Sequence, residues 1–246
     1  IPSVADRNTG KQSSEQSDPA EHRNRFQIRN PIDAFIYQKY AKLGLVPAPE
    51  ASRRTLIRRL YFDLIGLPPT PEKIAEFEKN PSDIAYKEIV DTLLKSKHYG
   101  ERWGRHWLDI ARFGESDGFE RNNPRNNLWP FRDWVIKALN DDMPYDEFVR
   151  MQIAGDILKP GKDGTAAVAF LAAGLHNTVV GGSEFMKKTA RQDELEEIAG
   201  TVGQTFFGLT VNCARCHDHK YDPISQKEYF QITSALKGVF HGERDV

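Results

Sequence analysis

The sequence predicts an all-α fold, an irregular bundle of about nine helices. Three observations predict it. Apolar residues recur at helical spacing in one segment after another. Most of these segments open on Asn, Ser, Thr or Pro, and several close on Gly, the residue types that start and stop helices. No stretch shows convincing β alternation, and no internal repeat is present. A chain of 246 residues can bury a sizeable core as one large domain or two small ones.

Residues 1–29 are polar, rich in Ser, Asp, Arg, Asn and Gln, and lack apolar periodicity. They read as an extended or disordered arm, with a helical domain over 30–246. Order is expected to begin at Asn30-Pro31, an N-cap followed by proline at the first helical position. Ile32, Phe35, Ile36, Tyr40 and Leu43 then repeat at helical spacing, and Gly44 can end the helix. A second helix is expected from Ser52, carrying Leu56, Ile57, Leu60 and Leu64, to Gly66-Leu67-Pro68-Pro69. Its Arg53, Arg54, Arg58 and Arg59 form a basic face, either solvated or a docking surface for an acidic partner.

Thr70-Pro71 opens a short helix through Phe77, and another runs from about Ser82 to Ser96. The next, about His98 to Phe113, carries Tyr99, Trp103, His106, Trp107 and Ile110 as one stripe. Residues 114–129 read as a long polar loop, dense enough in hydrogen-bonding groups to suggest function. Helices then start at Pro130 and Pro144, and 159–164 form a turn. A small-residue helix is expected over Ala166–Leu175 and a long one from about Thr189 to Gly208. Ser225 with Glu228 makes a capping box for a last helix ending near Gly238.

A hydrophobic content of 39% and a charged content of 28% suit a soluble globular protein. The formal net charge of −1 argues against a nucleic-acid or other polyanion binder. No apolar run approaches the length of a membrane span.

The chain has two cysteines, and both fall in Cys213-Ala214-Arg215-Cys216-His217. Cys-x-x-Cys-His is the attachment signature of a c-type haem. Two thiols add to the haem vinyl groups as thioethers, and the adjacent histidine gives its imidazole to the iron. The fold class expected is therefore an all-α bundle with a haem motif embedded in it, binding one covalent haem c. Two other readings stay open. A disulfide or redox dithiol is one, although a two-residue gap closes a small strained loop and the flanks read as helices. A zinc site of Cys213, Cys216, His217 and His219 is the other, although zinc sites usually draw on two separated pairs.

Around the motif, His219, Lys220 and Tyr221 are candidates for contacts to haem propionates. His219 lies too close to His217 to reach the same iron from the opposite face. His106 is the leading candidate for the distal iron ligand, because it sits at the centre of an aromatic stripe suited to a flat apolar porphyrin. Asp109, three residues on, could orient its ring. His241 and His176 are the alternatives, followed by Met143, Met151 and Met186. Glu115, Asp117 and Glu120 supply three carboxylates after the His106 helix, either solvated or at a polar substrate site. Haem is attached outside the bacterial inner membrane, so the haem reading requires an export signal. None is visible, and the chain is expected to be a mature or trimmed form of a periplasmic or cell-surface protein.

Several stretches together resemble the planctomycete-type cytochrome c-associated domain, the PSCyt type, a family of unknown function. They are Asn30-Pro-Ile-Asp-Ala-Phe-Ile36, Arg58-Arg-Leu-Tyr-Phe-Asp-Leu-Ile-Gly-Leu-Pro-Pro-Thr-Pro71, Tyr99-Gly-Glu-Arg-Trp-Gly-Arg-His-Trp-Leu-Asp109, Arg132-Asp-Trp-Val135, Pro144-Tyr-Asp-Glu-Phe148 and Cys213-Ala-Arg-Cys-His-Asp-His-Lys-Tyr-Asp-Pro223. The resemblance covers about Asn30 to Val246. It implies a domain of a large exported planctomycete-type protein, and together with the haem motif it points to electron transfer as the first reading. It also implies a second domain or subunit, and further cytochrome or carbohydrate-binding modules. No such second domain is recognisable after Val246, so a fragment or one half of a split protein is expected. The expected partner is a redox protein. A haem enzyme, peroxidase or carbohydrate oxidoreductase, is the second reading.

Overall fold

The computed structural model describes residues 30–119 and 121–242. The arm expected over 1–29 lies outside the described residues, as does Glu120. Among the described residues there are ten α-helices and no strand, so the all-α expectation holds with one helix more than its count. A single isolated bridge pairs Ser116 with Pro124. No helix among the described residues is long and apolar enough to cross a membrane. The residues fall into two units, divided between Ser52 and Arg53.

The first unit carries α1 (Pro31–Leu43). Its start is chemically over-determined. The Asn30 side chain accepts from the Ile32 and Asp33 amides, Asp33 accepts in return from the Asn30 amide, and Pro31 stands in the first turn. Gly44 at φ 63° closes the helix.

The second unit carries α2 (Arg53–Ile65), α3 (Pro71–Lys79), α4 (Asp83–Leu94), α5 (Lys97–Ile110), α6 (Trp129–Asn140), α7 (Tyr145–Leu158), α8 (Lys162–Val168), α9 (Glu184–Val202) and α10 (Gln226–Ala235). Side chains of Thr70, Ser82, Ser96, Ser183 and Ser225 cap α3, α4, α5, α9 and α10. Arg54 of the basic face forms an exposed two-point pair with Glu78 of α3.

The main core lies between α5, α6, α7, α8 and α9, with Phe131, Val135, Phe148, Ala167, Phe170 and Ile198 buried. Trp134 stacks on Phe148, and Trp107 meets the same ring edge-on. Gln152 is fully buried, yet both ends of its amide are used. Its oxygen accepts from Trp107 Nε1 at 2.6 Å and its nitrogen donates to Phe148 O at 3.1 Å.

The stripe expected on α5 divides. Trp107 enters the core, but Trp103, His106 and Ile110 are exposed. The face of α5 that meets α6 is made by Gly100 and Gly104 instead. A Cβ on Gly100 would stand 2.4 Å from the Ile136 carbonyl oxygen, so the helices approach only because glycine lacks one. Two boundaries also differ from expectation. The helix placed at Ala166 begins at Lys162 and ends in a 3-10 turn, Ala169–Ala172. The long helix begins at Glu184, on the Ser183 cap, and continues past Val202 as a π turn, Gly203–Phe207.

Candidate functional site

Cys213 lies on a 3-10 turn, Val211–Arg215, that follows the π turn, and Cys216 is the residue that closes it. With three residues per turn, positions i and i+3 share a side. Val211 and Ala214 therefore point inward together, and both are buried. They join Ile224 and Tyr229 in a second, smaller core, with Leu209 and Ile232 packed against it. Cys213 and Cys216 share another side by the same spacing, and both are free and exposed. The sequence pattern Val-x-x-Ala and Cys-x-x-Cys is thus one helical period read on two faces.

Three anchors hold this turn. Burial of Val211 and Ile224 contributes about 1.5–3 kcal/mol for each full side chain, more than an exposed ion pair. Arg215 reaches α9, where it pairs with Glu196 and, at 2.8 Å, with Asp193. Its hydrogen bonds to these two carboxylates hold its pKa above the ordinary value. Gly203 permits the close pass of the chain. A Cβ there would lie 2.7 Å from Val211 Cγ2 and 3.1 Å from Leu209 O. Beneath the turn Tyr229 is fully buried, and burial raises its pKa.

His217 is exposed, with Nδ1 2.7 Å from the Asp218 carbonyl oxygen. A carbonyl oxygen only accepts, so Nδ1 carries the proton, and in the neutral ring the lone pair is on Nε2. This is the arrangement in which metal-bound histidines are usually held. Asp218 also accepts from the Gln226 amide at the start of α10, at 2.8 Å, and so ties the histidine's own loop to that helix.

His219 has a different place. Its Nδ1 accepts from the amides of Tyr221 and Asp222, at 3.2 and 2.8 Å. Its Nε2 is 3.0 Å from Thr210 Oγ1 and carries the proton. Both nitrogens make hydrogen bonds within this segment. Lys220 and Tyr221 are exposed, with the Lys220 ammonium 5.2 Å from the Tyr221 ring centre. They are free to meet a carboxylate.

His106 is exposed, its ring edge-on to Trp103 at 5.5 Å. Its helix packs on α2 and α6, whereas the cysteine turn packs on α9 and α10. Met151 is buried in the main core, Met143 is packed against it, and Met186 is exposed. The two described loop acids are already partnered. Asp117 is buried and paired with Arg125 at 2.9 Å, and Glu115 reaches Arg132 at 3.4 Å. Arg125 also donates to the carbonyls of Ala172 and Ala173, so this pair fastens the loop to the core.

The structure brings together three residues that sequence reasoning left apart. Glu194 Oε1 lies 2.5 Å from His241 Nδ1 and 3.2 Å from His176 Nδ1. The two imidazoles stack with centroids 4.2 Å apart. Burial works to raise the Glu194 pKa, but hydrogen bonds from Arg191 and His241 outweigh it and the group titrates low. Burial lowers the pKa of His241. Beside them a cleft of about 370 Å³ is lined by Leu175, Val179, Phe185 and Met186, with Asp193 and Glu194 at its wall.

The model of a family described as PSCyt2, a protein of unknown function (DUF1549), matches residues 31–240. No curated protein matches the chain, and no solved structure does.

Proposed function

The chain belongs to the PSCyt2 family, and from that premise we propose that it is an exported c-type cytochrome domain that carries one covalent haem c and transfers electrons. In this reading Cys213 and Cys216 form the two thioethers, and His217 Nε2 is the proximal ligand. The observation that carries it is the combined geometry of the motif. Two free, exposed thiols stand three residues apart on a 3-10 turn and its cap, and the next residue is an imidazole whose Nδ1–H donates to a backbone oxygen. A bound haem supplies a one-electron iron couple set by its axial ligands. The chain's own part is to hold the thiols outward on a buried footing and to orient one imidazole. Lys220 and Tyr221 are free for the propionates.

Electron transfer is favoured over a haem enzyme by the loop acids. The described carboxylates that would serve as a base are tied to Arg125 and Arg132. A larger extracytoplasmic assembly with a redox partner is the setting this function requires. The visible spectrum of protein matured in a haem-attaching host tests the reading. Expected is a Soret band with α and β bands on reduction, the mark of a c-type haem. A high-spin spectrum that takes up cyanide or peroxide readily would move the assignment to the enzyme, and no Soret band would remove both.

A further inference from the structure

We propose that His176, Glu194 and His241 form a site for one divalent transition-metal ion of the zinc or ferrous class, with an open coordination position toward the apolar cleft. Among the described residues these three are brought together so that one donor atom from each lies within 4.8 Å of the others. They come from three places: the loop after the 3-10 turn Ala169–Ala172, the middle of α9, and the segment beyond α10. Two histidines and one carboxylate are a ligand set that zinc and non-haem ferrous iron both accept.

The spacing suits such an ion. Zinc bonds of about 2.0–2.1 Å in a tetrahedral site put neighbouring donors roughly 3.3 Å apart. His176 Nδ1 already stands 3.2 Å from Glu194 Oε1. His241 Nδ1, at 2.5 Å, must withdraw by less than about 1 Å. Both stacked rings turn Nδ1 onto the same carboxylate oxygen, while Arg191 occupies the other.

The surrounding contacts hold each ligand from behind. Arg191 also donates to the carbonyls of Lys237, at 2.9 Å, and Val239, at 2.5 Å, and so fixes the segment that carries His241. The His176 amide donates to the Asp117 carbonyl at 3.1 Å, within the loop clamped by Arg125. His241 Nε2 is buried without a partner. His241 also lines a cavity of about 10 Å³ with Glu197 and Thr201, room for one water that would accept from that nitrogen. Glu194 is shared between this site and the wall of the cleft, whose other lining includes Leu175, Asn177 and Phe185. Three protein ligands with a fourth position open to a cleft are the pattern of a reactive zinc or ferrous centre rather than a structural one.

The test uses the haem-loaded chain and Zn²⁺ alone as probe. Equilibrium dialysis should show one zinc bound per chain. The Zn K-edge absorption should report only N and O neighbours at about 2.0–2.1 Å. His176→Ala and His241→Ala should each weaken binding by at least about tenfold, and Glu194→Gln, which preserves side-chain size, should do the same with the circular dichroism unchanged. Zinc binding should persist in Cys213→Ser/Cys216→Ser, which separates this site from the haem motif. Sulfur neighbours near 2.3 Å, or stoichiometry unmoved by all three substitutions, would overturn the proposal. So would a change of haem spin state in His176→Ala or His241→Ala, which would place those rings on the haem iron.

Discussion

The Asp218 carbonyl oxygen accepts a hydrogen bond from His217 Nδ1–H at 2.7 Å. One hydrogen bond therefore decides which ring nitrogen His217 offers outward, and the residue that supplies it is tied to the start of α10 by its own side chain. Removing the imidazole without touching the thiols is the direct test of this role. His217→Ala should keep the haem covalently attached while its visible spectrum changes with the loss of the proximal nitrogen. Imidazole added to the solution should restore the parent bands. An unchanged spectrum would mean that His217 is not the proximal ligand.

His106→Ala should leave the spin state as it is. Its ring is exposed against Trp103, and the cysteine turn packs on α9 and α10 rather than on α5. A conversion to high spin in this variant alone would restore the distal role that the aromatic stripe suggested.

Gly203→Ala should destabilise the fold by about 1–3 kcal/mol, the cost of forcing a methyl group into a packed site. The added Cβ would meet both Val211 methyls at 2.7 and 2.9 Å, and Val211 is itself buried. Gly182→Ala is the control, since its Cβ meets nothing within 4 Å. Urea midpoints that shift equally for the two variants would show that the close pass of the cysteine segment does not matter.

Acid stability should depend on Asp117. The hydrogen bond from Arg125 holds this carboxyl below the usual carboxylate range, with burial opposing and Asn123 assisting. A depressed folded pKa contributes stability that is complete above the unfolded value, about 3.9, and is lost as pH falls through the folded one. Asp117→Asn should cost about 1–3 kcal/mol at neutral pH by taking the carboxylate away from a mostly buried guanidinium. The gap between variant and parent should close as the pH drops below about 4. Parallel stability curves over that range would contradict the assignment.

Helix starts were legible because their chemistry is local. Asn30, Thr70, Ser82 and Ser225 cap the helices that their positions announce. Ser183 also caps its helix, but the exposed Phe185 and Met186 and the charged run after them left the first turns of α9 without a helical apolar stripe. The buried face of α5 was not legible from its aromatics, because close approach at Gly100 and Gly104 leaves Trp103 and His106 outside. The footing of the cysteine pair, a 3-10 turn over Val211 and Ala214, was not legible. His176, Glu194 and His241 are far apart in the chain, and only the packing of the loop and the last segment on α9 unites them.

Covalent attachment is read most directly by the mass of the denatured protein. Chain matured in a haem-attaching host, unfolded and digested, should yield one peptide containing Cys213 and Cys216 that carries a single haem mass. Cys213→Ser/Cys216→Ser should yield the same peptide without it. A parent peptide recovered from that host at its bare mass, with both thiols free to alkylate, would contradict the assignment of this turn as a haem c site.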